Sequence, residues 1–409
     1  MRILLIHNKY KLAGGEDGVF KTEGDLLAGF GHQVEEMIFD NSAINGFWNK
    51  CLTGLKFLYN PHSAKAISRK IESFRPDVIH VHNFVPLVSP AVFWVADRHK
   101  IPVVFTLHNF RMICPSATLF YRNFIYEKSL QSVFPFDAVM KGVYRNSIIE
   151  TAILAFGIAF HHVIGTWRNK VDFYIALTSF AKEKFVSARM SLPSEKILVK
   201  PNSVQDCGMG TARRRDHFLF VGRLVEEKGL RTLLQAAFLV PFKLIIIGEG
   251  PLQQEVIDHM KMNPNVVYLG PQNKATVISH MKACAALIFP SLWYEGLPLT
   301  MIEAFSAGTP VIASNHGAMA ELINDGINGL LFEPGRERDL VRRMEDVLHE
   351  RVDVDGISEM ARATYLKYYT PERNYNLLLT IYNRAIALKH ATPTKWNDKL
   401  IHEMESATS

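Results

Sequence analysis

Short β-branched runs alternate with helix-length segments along almost the whole chain, and that alternation leaves few folds open. It is the pattern of parallel sheets whose crossovers are helices. In the first half, strands are expected at Ile3–His7, Val34–Phe39, Val78–His82, Val103–His108, Tyr174–Thr178 and Ile197–Lys200. In the second half they are expected at Phe218–Gly222, Leu244–Gly248, Val266–Gly270, Ala286–Pro290 and Val311–Ser314. Asn202 to Thr211 is polar, glycine-bearing and aperiodic, and Arg213-Arg214-Arg215 follows it, so this stretch reads as a linker. A chain of 409 residues is too long for one core and suits two domains. The expected division is residues 1–203, residues 204–370, and a loose polar tail over 391–409. A helix-like segment beginning at Pro371 and running to about residue 390 is expected to pack back on the first domain. The fold class is α/β, with two facing, doubly wound, Rossmann-like parallel-sheet domains and a ligand cleft at the carboxyl ends of their strands.

Charge is uneven along this frame. Residues 1–203 hold 24 Lys+Arg against 16 Asp+Glu, whereas residues 204–409 hold 22 against 24. The first half is therefore the one expected to meet an anionic surface. Nine cations lie between Arg98 and Lys170 against three acids, interleaved with Phe120, Tyr121, Phe124, Tyr126, Phe134, Phe136, Phe156, Phe160 and Trp167. That composition fits peripheral membrane contact. Its rival is a plain core helix over Ile148–Trp167 with solvated charges. Glu150, His161 and His162 argue against a membrane span there. The cysteines Cys51, Cys114, Cys207 and Cys284 are scattered, which suits a reducing, cytoplasmic setting better than a disulfide framework. No recognition motif for nucleic acid is present, and none is expected to bind.

The chemistry concentrates in Glu295-Gly296-Leu297-Pro298-Leu299-Thr300-Met301-Ile302-Glu303. This stretch leaves an apolar strand and opens a helix, with Pro298 suited to the first helical position. Unpaired amides at such a helix end favour an anion. One carboxylate before the helix and one on its second turn can take hydroxyls on either side of that anion. A sugar joined to a nucleoside through a diphosphate fits the layout. A capping glutamate and a solvated one would be the plainer account.

Three other positions face the same cleft. Gly14-Gly15 after the first strand is either a phosphate cradle or an ordinary tight turn. Gly222-Arg223 and Lys228 end the first strand of the second half, and a guanidinium fork with an ammonium suits a pyrophosphate. His108 closes an inner strand of the first half.

Taken in order, Gly14-Gly15, Thr106-Leu107-His108-Asn109, Pro201-Asn202, Val221-Gly222-Arg223, Glu227-Lys228-Gly229, Ile247-Gly248-Glu249-Gly250-Pro251, Glu295 through Glu303 and Gly308-Thr309-Pro310 resemble glycosyltransferase family 4. The resemblance runs from Met1 to about residue 385 and implies the GT-B fold and a retaining sugar transfer. It implies that Arg223 and Lys228 hold the donor diphosphate, Glu303 the ribose and Glu295 the transferred sugar. Amides of Gly15, Gly296, Leu297 and Leu299 would complete the cradle, Gly248 and Gly250 would flank the base, and His108 would line the sugar pocket. The expected catalytic set is His108, Glu295, Arg223 and Lys228. No metal and no cofactor is expected, since no Asp-x-Asp motif is present and fixed cations and amides suit a departing diphosphate. The partners implied are a nucleotide-sugar donor and a glycan or polyprenyl-diphosphate-linked acceptor, at the inner face of the cell membrane. Relatives carry a cysteine pair after the Thr-Leu-His-Asn segment; here Leu119 to Lys128 has none, which puts any metal or disulfide role there in doubt. A sugar-nucleotide epimerase and a silent partner subunit are the competing readings.

Overall fold

The computed structural model describes residues 1–9, 14–40, 56–210 and 217–390. Arg213-Arg214-Arg215, Cys51 and the tail after His390 lie outside the described residues.

The first sheet is built from β1 (Arg2–Lys9), β2 (Gln33–Asp40), β3 (Val78–Val81) and β4 (Val103–Leu107). A hairpin of β5 (Phe120–Tyr121) and β6 (Phe124–Ile125) stands apart, and β7 (Phe173–Ala176) and β8 (Ile197–Val199) complete the sheet. Its order is β2-β1-β3-β4-β7-β8. The second sheet comprises β9 (Phe218–Val221), β10 (Leu244–Ile247), β11 (Val266–Gly270), β12 (Ala286–Phe289), β13 (Val311–Ser314) and β14 (Leu330–Phe332). Its order is β11-β10-β9-β12-β13-β14. All pairings within the two sheets are parallel. The order reverses between β1 and β3 in one sheet and between β9 and β12 in the other, and crevices for ligands open at such points.

Burial explains why these runs are strands. β3, β4, β7, β10, β12 and β13 are buried at every position, as inner strands covered by helices on both faces must be. Edge strand β2 instead alternates between exposed and half-buried. Alternate residues of β1, Leu4 and Ile6 against Ile3 and Leu5, enter separate cores on the two faces of the sheet.

The helix Pro371–His390 belongs to the core of the first sheet. Leu378, Ile381, Tyr382 and Ala385 pack with Ile3, Leu5, Val78 and Val104. The chain thus crosses between the domains twice, and the crossings touch: Val204 N donates to Tyr369 O at 3.4 Å and Asn374 Nδ2 to Pro201 O at 2.7 Å. The aperiodic stretch before residue 211 is packed against the second domain. Val204 is buried there, and Arg362 grips Asp206 through both guanidinium nitrogens.

Three details differ from the sequence reading. The β5–β6 hairpin and β14 were not expected; each has two or three residues, too few to show a period. Pro298 is the N-cap of the helix Leu299–Ser306, one position before the expected place, with extended backbone. The apolar stretch from Ile148 is helical to Val163, breaks at Ile164 and Gly165, resumes over Thr166–Asn169, and is two-sided. Leu154, Ala155 and Ile158 face the core, and Ile149, Phe156 and Val163 face outward.

Candidate active site

The second-sheet half of the candidate site forms where β9 and β12 part. Beyond β9 the chain runs through Gly222 and Arg223 to Lys228 and Gly229. Gly229 has φ +69°, and a Cβ there would stand 1.8 Å from Pro290 O. Only glycine permits that approach. It brings Lys228 to the loop after β12, where its ammonium donates to Glu295 Oε1 at 2.7 Å. Ser291 Oγ donates to the same oxygen at 2.5 Å. The ammonium also lies over the rings of Phe289 and Trp293, at 5.3 and 5.6 Å. Burial pushes the Glu295 carboxyl up, but Lys228 and the Ser291 hydroxyl outweigh it and the net shift is downward, so Glu295 is an anion.

Gly248 and Gly250 have a role that spacing did not suggest. Their φ values are +142° and +157°, and Cβ atoms there would meet Gly222 O at 1.9 Å and Leu224 O at 2.5 Å. Leu224 N donates to Glu249 O and Leu252 N to Leu224 O. The loop after β10 thereby clamps the loop that carries Arg223. Arg223 itself is exposed, with Glu227 3.9 Å away. Glu303, on the helix Leu299–Ser306, is only a fifth exposed and pairs with the exposed Lys274 at 3.2 Å. No side chain caps that helix.

The opposite wall comes from the first sheet. Gly14 is the N-cap of the helix Gly15–Gly29, with φ −117°, and its amide donates to Asp17 Oδ2 at 2.7 Å. Nothing lies within 4 Å of a Cβ placed on Gly15. The glycine pair is therefore not imposed by backbone conformation. His108, just past β4, is half-buried; its Nε2 lies 3.0 Å from His82 Nδ1 with the two rings stacked. Behind it is a buried polar chain. Glu23 Oε1 lies 3.2 Å from His82 Nε2 and 3.0 Å from His80 Nδ1. Lys200 donates to Glu23 Oε2 at 2.8 Å and to Asn374 Oδ1 at 3.1 Å. His80 Nε2 meets Thr106 Oγ1, and the Tyr382 hydroxyl lies 2.7 Å from His80 Nδ1. Burial opposes charge on Glu23, yet Lys200 and the two histidines hold its carboxyl well below the usual range. Glu23, His80 and His82 bring ligand atoms within 4.8 Å of one another, but the Lys200 ammonium already supplies the cation that this carboxylate requires.

The two walls touch. A Cβ on Gly296 would be 2.8 Å from His108 O, so the loop from Glu295 runs directly under His108. Tyr294 meets the Phe180 ring edge-on at 4.7 Å. Glu321 accepts from the amides of Ser179 and Phe180 at 2.8 and 2.7 Å, across the domain boundary. Sequence reasoning missed Glu23, His80, His82, Lys200, Ser291 and Glu321. The one signal available was His80-Val81-His82 ending an apolar strand, two histidines spaced to share one face.

Comparison with known proteins agrees with this geometry. Residues 210–366 match the model for glycosyl transferases group 1, and residues 44–206 match glycosyltransferase family 4. The chain is a group 1, family 4 glycosyltransferase. It is 26% identical over 329 residues to an uncharacterized 42.6 kDa protein in the cps region of Klebsiella pneumoniae, covering 78% of this chain and 79% of that one. It is 27% identical over 176 residues to the O-antigen chain mannosyltransferase C of Escherichia coli, covering 42% of this chain and 47% of that one. Among solved structures, the lipopolysaccharide outer core galactosyltransferase WaaB superposes with a TM-score of 0.65 at 19% identity, over 94% of this chain and all of that one. HepE of Anabaena in complex with UDP superposes with a TM-score of 0.66 at 17% identity, over 94% of this chain and all of that one. The fold of this glycosyltransferase is accordingly GT-B.

Proposed function

We propose that this glycosyltransferase moves a sugar, with retention, from a nucleoside-diphosphate sugar to a glycan or polyprenyl-diphosphate-linked acceptor during assembly of a surface polysaccharide or glycolipid. The observation that carries the reading is the ionised Glu295 pinned by Lys228 where β9 and β12 part, directly under His108. Cleavage of the anomeric C–O bond puts positive charge on the sugar and negative charge on the leaving diphosphate. Lys228 and Arg223 stand ready for the diphosphate, and the uncapped helix at Leu299 adds amides. Glu295 suits hydroxyls of the sugar and Glu303 those of the ribose. Same-face substitution fits the carboxylates present: Glu23 sits behind His82, and Glu295 is held by Lys228 and Ser291, so neither is free to attack carbon. Lys228 and Arg223 can carry the leaving group's charge themselves, so the reaction is expected to need no metal. HepE with UDP-glucose is a structural neighbour on the same fold, which makes that donor the first to try.

The acceptor side has an apolar face that suits lipid. Phe124, Phe136, Met140, Ile149, Phe156 and Val163 are all more than half exposed, on the β5–β6 hairpin and the helices Phe136–Lys141 and Ile148–Val163. Arg122, Lys128, Lys141 and Arg145 lie along the same stretch. No helix among the described residues is long and apolar enough to cross a membrane, so contact would be interfacial. Incubation with a panel of nucleotide-sugars and lipid extract should release nucleoside diphosphate for one donor. Absence of both release and binding with every donor would overturn the reading.

A further inference from the structure

Behind His108 lies a chain of buried groups with a direction, and the direction can be worked out atom by atom. A carboxylate has no proton to give, and its negative charge favours the imidazole tautomer that turns an N–H toward it. His82 turns Nε2 toward Glu23 Oε1 at 3.2 Å without hydrogen-bond alignment, and the charge of the carboxylate places the ring proton on that nitrogen. Burial keeps His82 neutral, its pKa pushed down to about 4, so its Nδ1 is bare. That bare nitrogen lies 3.0 Å from His108 Nε2, a hydrogen bond only if His108 donates. The opposite arrangement would set two lone pairs against each other in a buried place. His108 is likewise held neutral by burial. Its remaining nitrogen, Nδ1, then has a lone pair, and among the described residues no group bonds it.

We propose that His108 meets the transferred sugar as a hydrogen-bond acceptor, through Nδ1, because Glu23 acting through His82 fixes the proton on Nε2. This rests on the sugar-transfer reading above. It adds a sign to the site: His108 selects a donor sugar by a hydroxyl that gives its hydrogen, and an acceptor-only substituent at that carbon is rejected. Glu23 and His82 are positioning residues, since neither reaches the cleft except through His108. Lys200 and the two histidines together keep Glu23 ionised, and with it the polarity of the whole chain.

The proton can be located in the wild-type protein without substrate. Nitrogen-15 labelling of histidine, with His108 assigned by its absence in His108→Asn, should show Nε2 protonated and Nδ1 bare at neutral pH. A protonated Nδ1 would overturn the proposal. In Glu23→Gln both tautomers should appear. Should that variant not fold, His82→Phe removes the link while leaving Glu23 with Lys200 and His80, and it too should give both; an unchanged tautomer there would contradict the relay. Kinetics supply the substrate test, using the donor that the nucleotide-sugar panel identifies. Fluorine accepts weakly and never donates, so at the hydroxyl read by His108 the deoxyfluoro donor should be as poor as the deoxy donor. Both should fall about tenfold to a hundredfold below the parent, and the loss should shrink in His108→Ala. A fluorinated donor that restores the rate at every position would reverse the polarity. If no nucleotide-sugar is turned over, the function fails while the tautomer measurement still tests the relay.

Discussion

The two walls of the cleft solve one problem in opposite ways. On the first-sheet side, Lys200, Glu23, His80 and His82 are sealed from water and packed against one another, with the Lys200 ammonium bonded to Glu23, so the polar arrangement exists before any ligand arrives. On the second-sheet side, Arg223 is exposed and weakly paired, and Glu303 leans on an exposed lysine. There the charges wait for a ligand to organise them. Lys228 with Glu295, on that side, resembles the closed arrangement. A wall that is complete beforehand fixes geometry, and a wall that is open can follow a leaving group as its charge grows.

That contrast is open to test, beginning with its strongest consequence. Lys200→Met leaves Glu23 buried without its ammonium and should cost roughly 3–5 kcal/mol of stability, read by urea unfolding; a loss under 1 kcal/mol would mean the chain is not sealed. Lys228→Ala and Arg223→Ala should each lower turnover about 10²–10³-fold. Only Lys228→Ala should also lower the melting temperature, because it strands Glu295. Equal melting of the two variants would erase the distinction between paired and waiting cations.

Acid should act on the closed wall. His82 titrates near 4 when folded and near 6.5 when unfolded, so between these values the unfolded chain binds more protons. Stability therefore rises with pH through that window and is lost as pH falls, by about 2 kcal/mol between pH 7 and pH 5 from this residue alone. Glu23, whose folded pKa is also depressed, contributes with the same sign at lower pH. His82→Phe should flatten the dependence between pH 7 and pH 5, and an unchanged slope would assign it elsewhere. A smaller effect separates the two glutamates. Glu303→Ala should weaken binding of the nucleoside diphosphate that the donor panel identifies about tenfold by calorimetry, whereas Glu295→Ala should leave that binding nearly intact and abolish transfer; the reverse pattern would exchange their roles. Smallest for the fold itself, Phe156→Ala with Val163→Ala should shift stability by under about 0.5 kcal/mol while reducing co-sedimentation with anionic vesicles at low salt. A wild-type protein that stays in the supernatant would remove the membrane from the account.

The open wall was far more legible in the sequence than the closed one. Arg223, Lys228, Glu295 and Glu303 stand at strand ends or helix starts, and position relative to an element is what spacing reports. The inner strands were visible because burial on both faces leaves mostly apolar runs, interrupted by His80 in β3 and Thr106 in β4. The closed wall joins Glu23 on one helix, His80 and His82 on β3, and Lys200 after β8. No local period links residues so far apart in the chain; only the parallel order β1-β3-β4-β7-β8, with the helix Gly15–Gly29 packed on it, brings them together. Gly248 and Gly250 were placed at the right loop, but their part in clamping Gly222 and Leu224 depends on a neighbouring backbone that spacing does not show.

The last helix carries a consequence for the order in which the molecule is made. Asn374 and Tyr382, on Pro371–His390, bond Lys200 and touch His80, and Leu378, Ile381 and Ala385 cover one face of the first sheet. During synthesis that sheet is translated first, yet the face that Phe20 and Leu27 cover in part stays incomplete until residues 371–390 have been made. The second domain needs nothing that follows residue 370 for its two sheet-face cores. The half made first is therefore the half finished last, and His108 acquires its full backing only when the C-terminal helix docks.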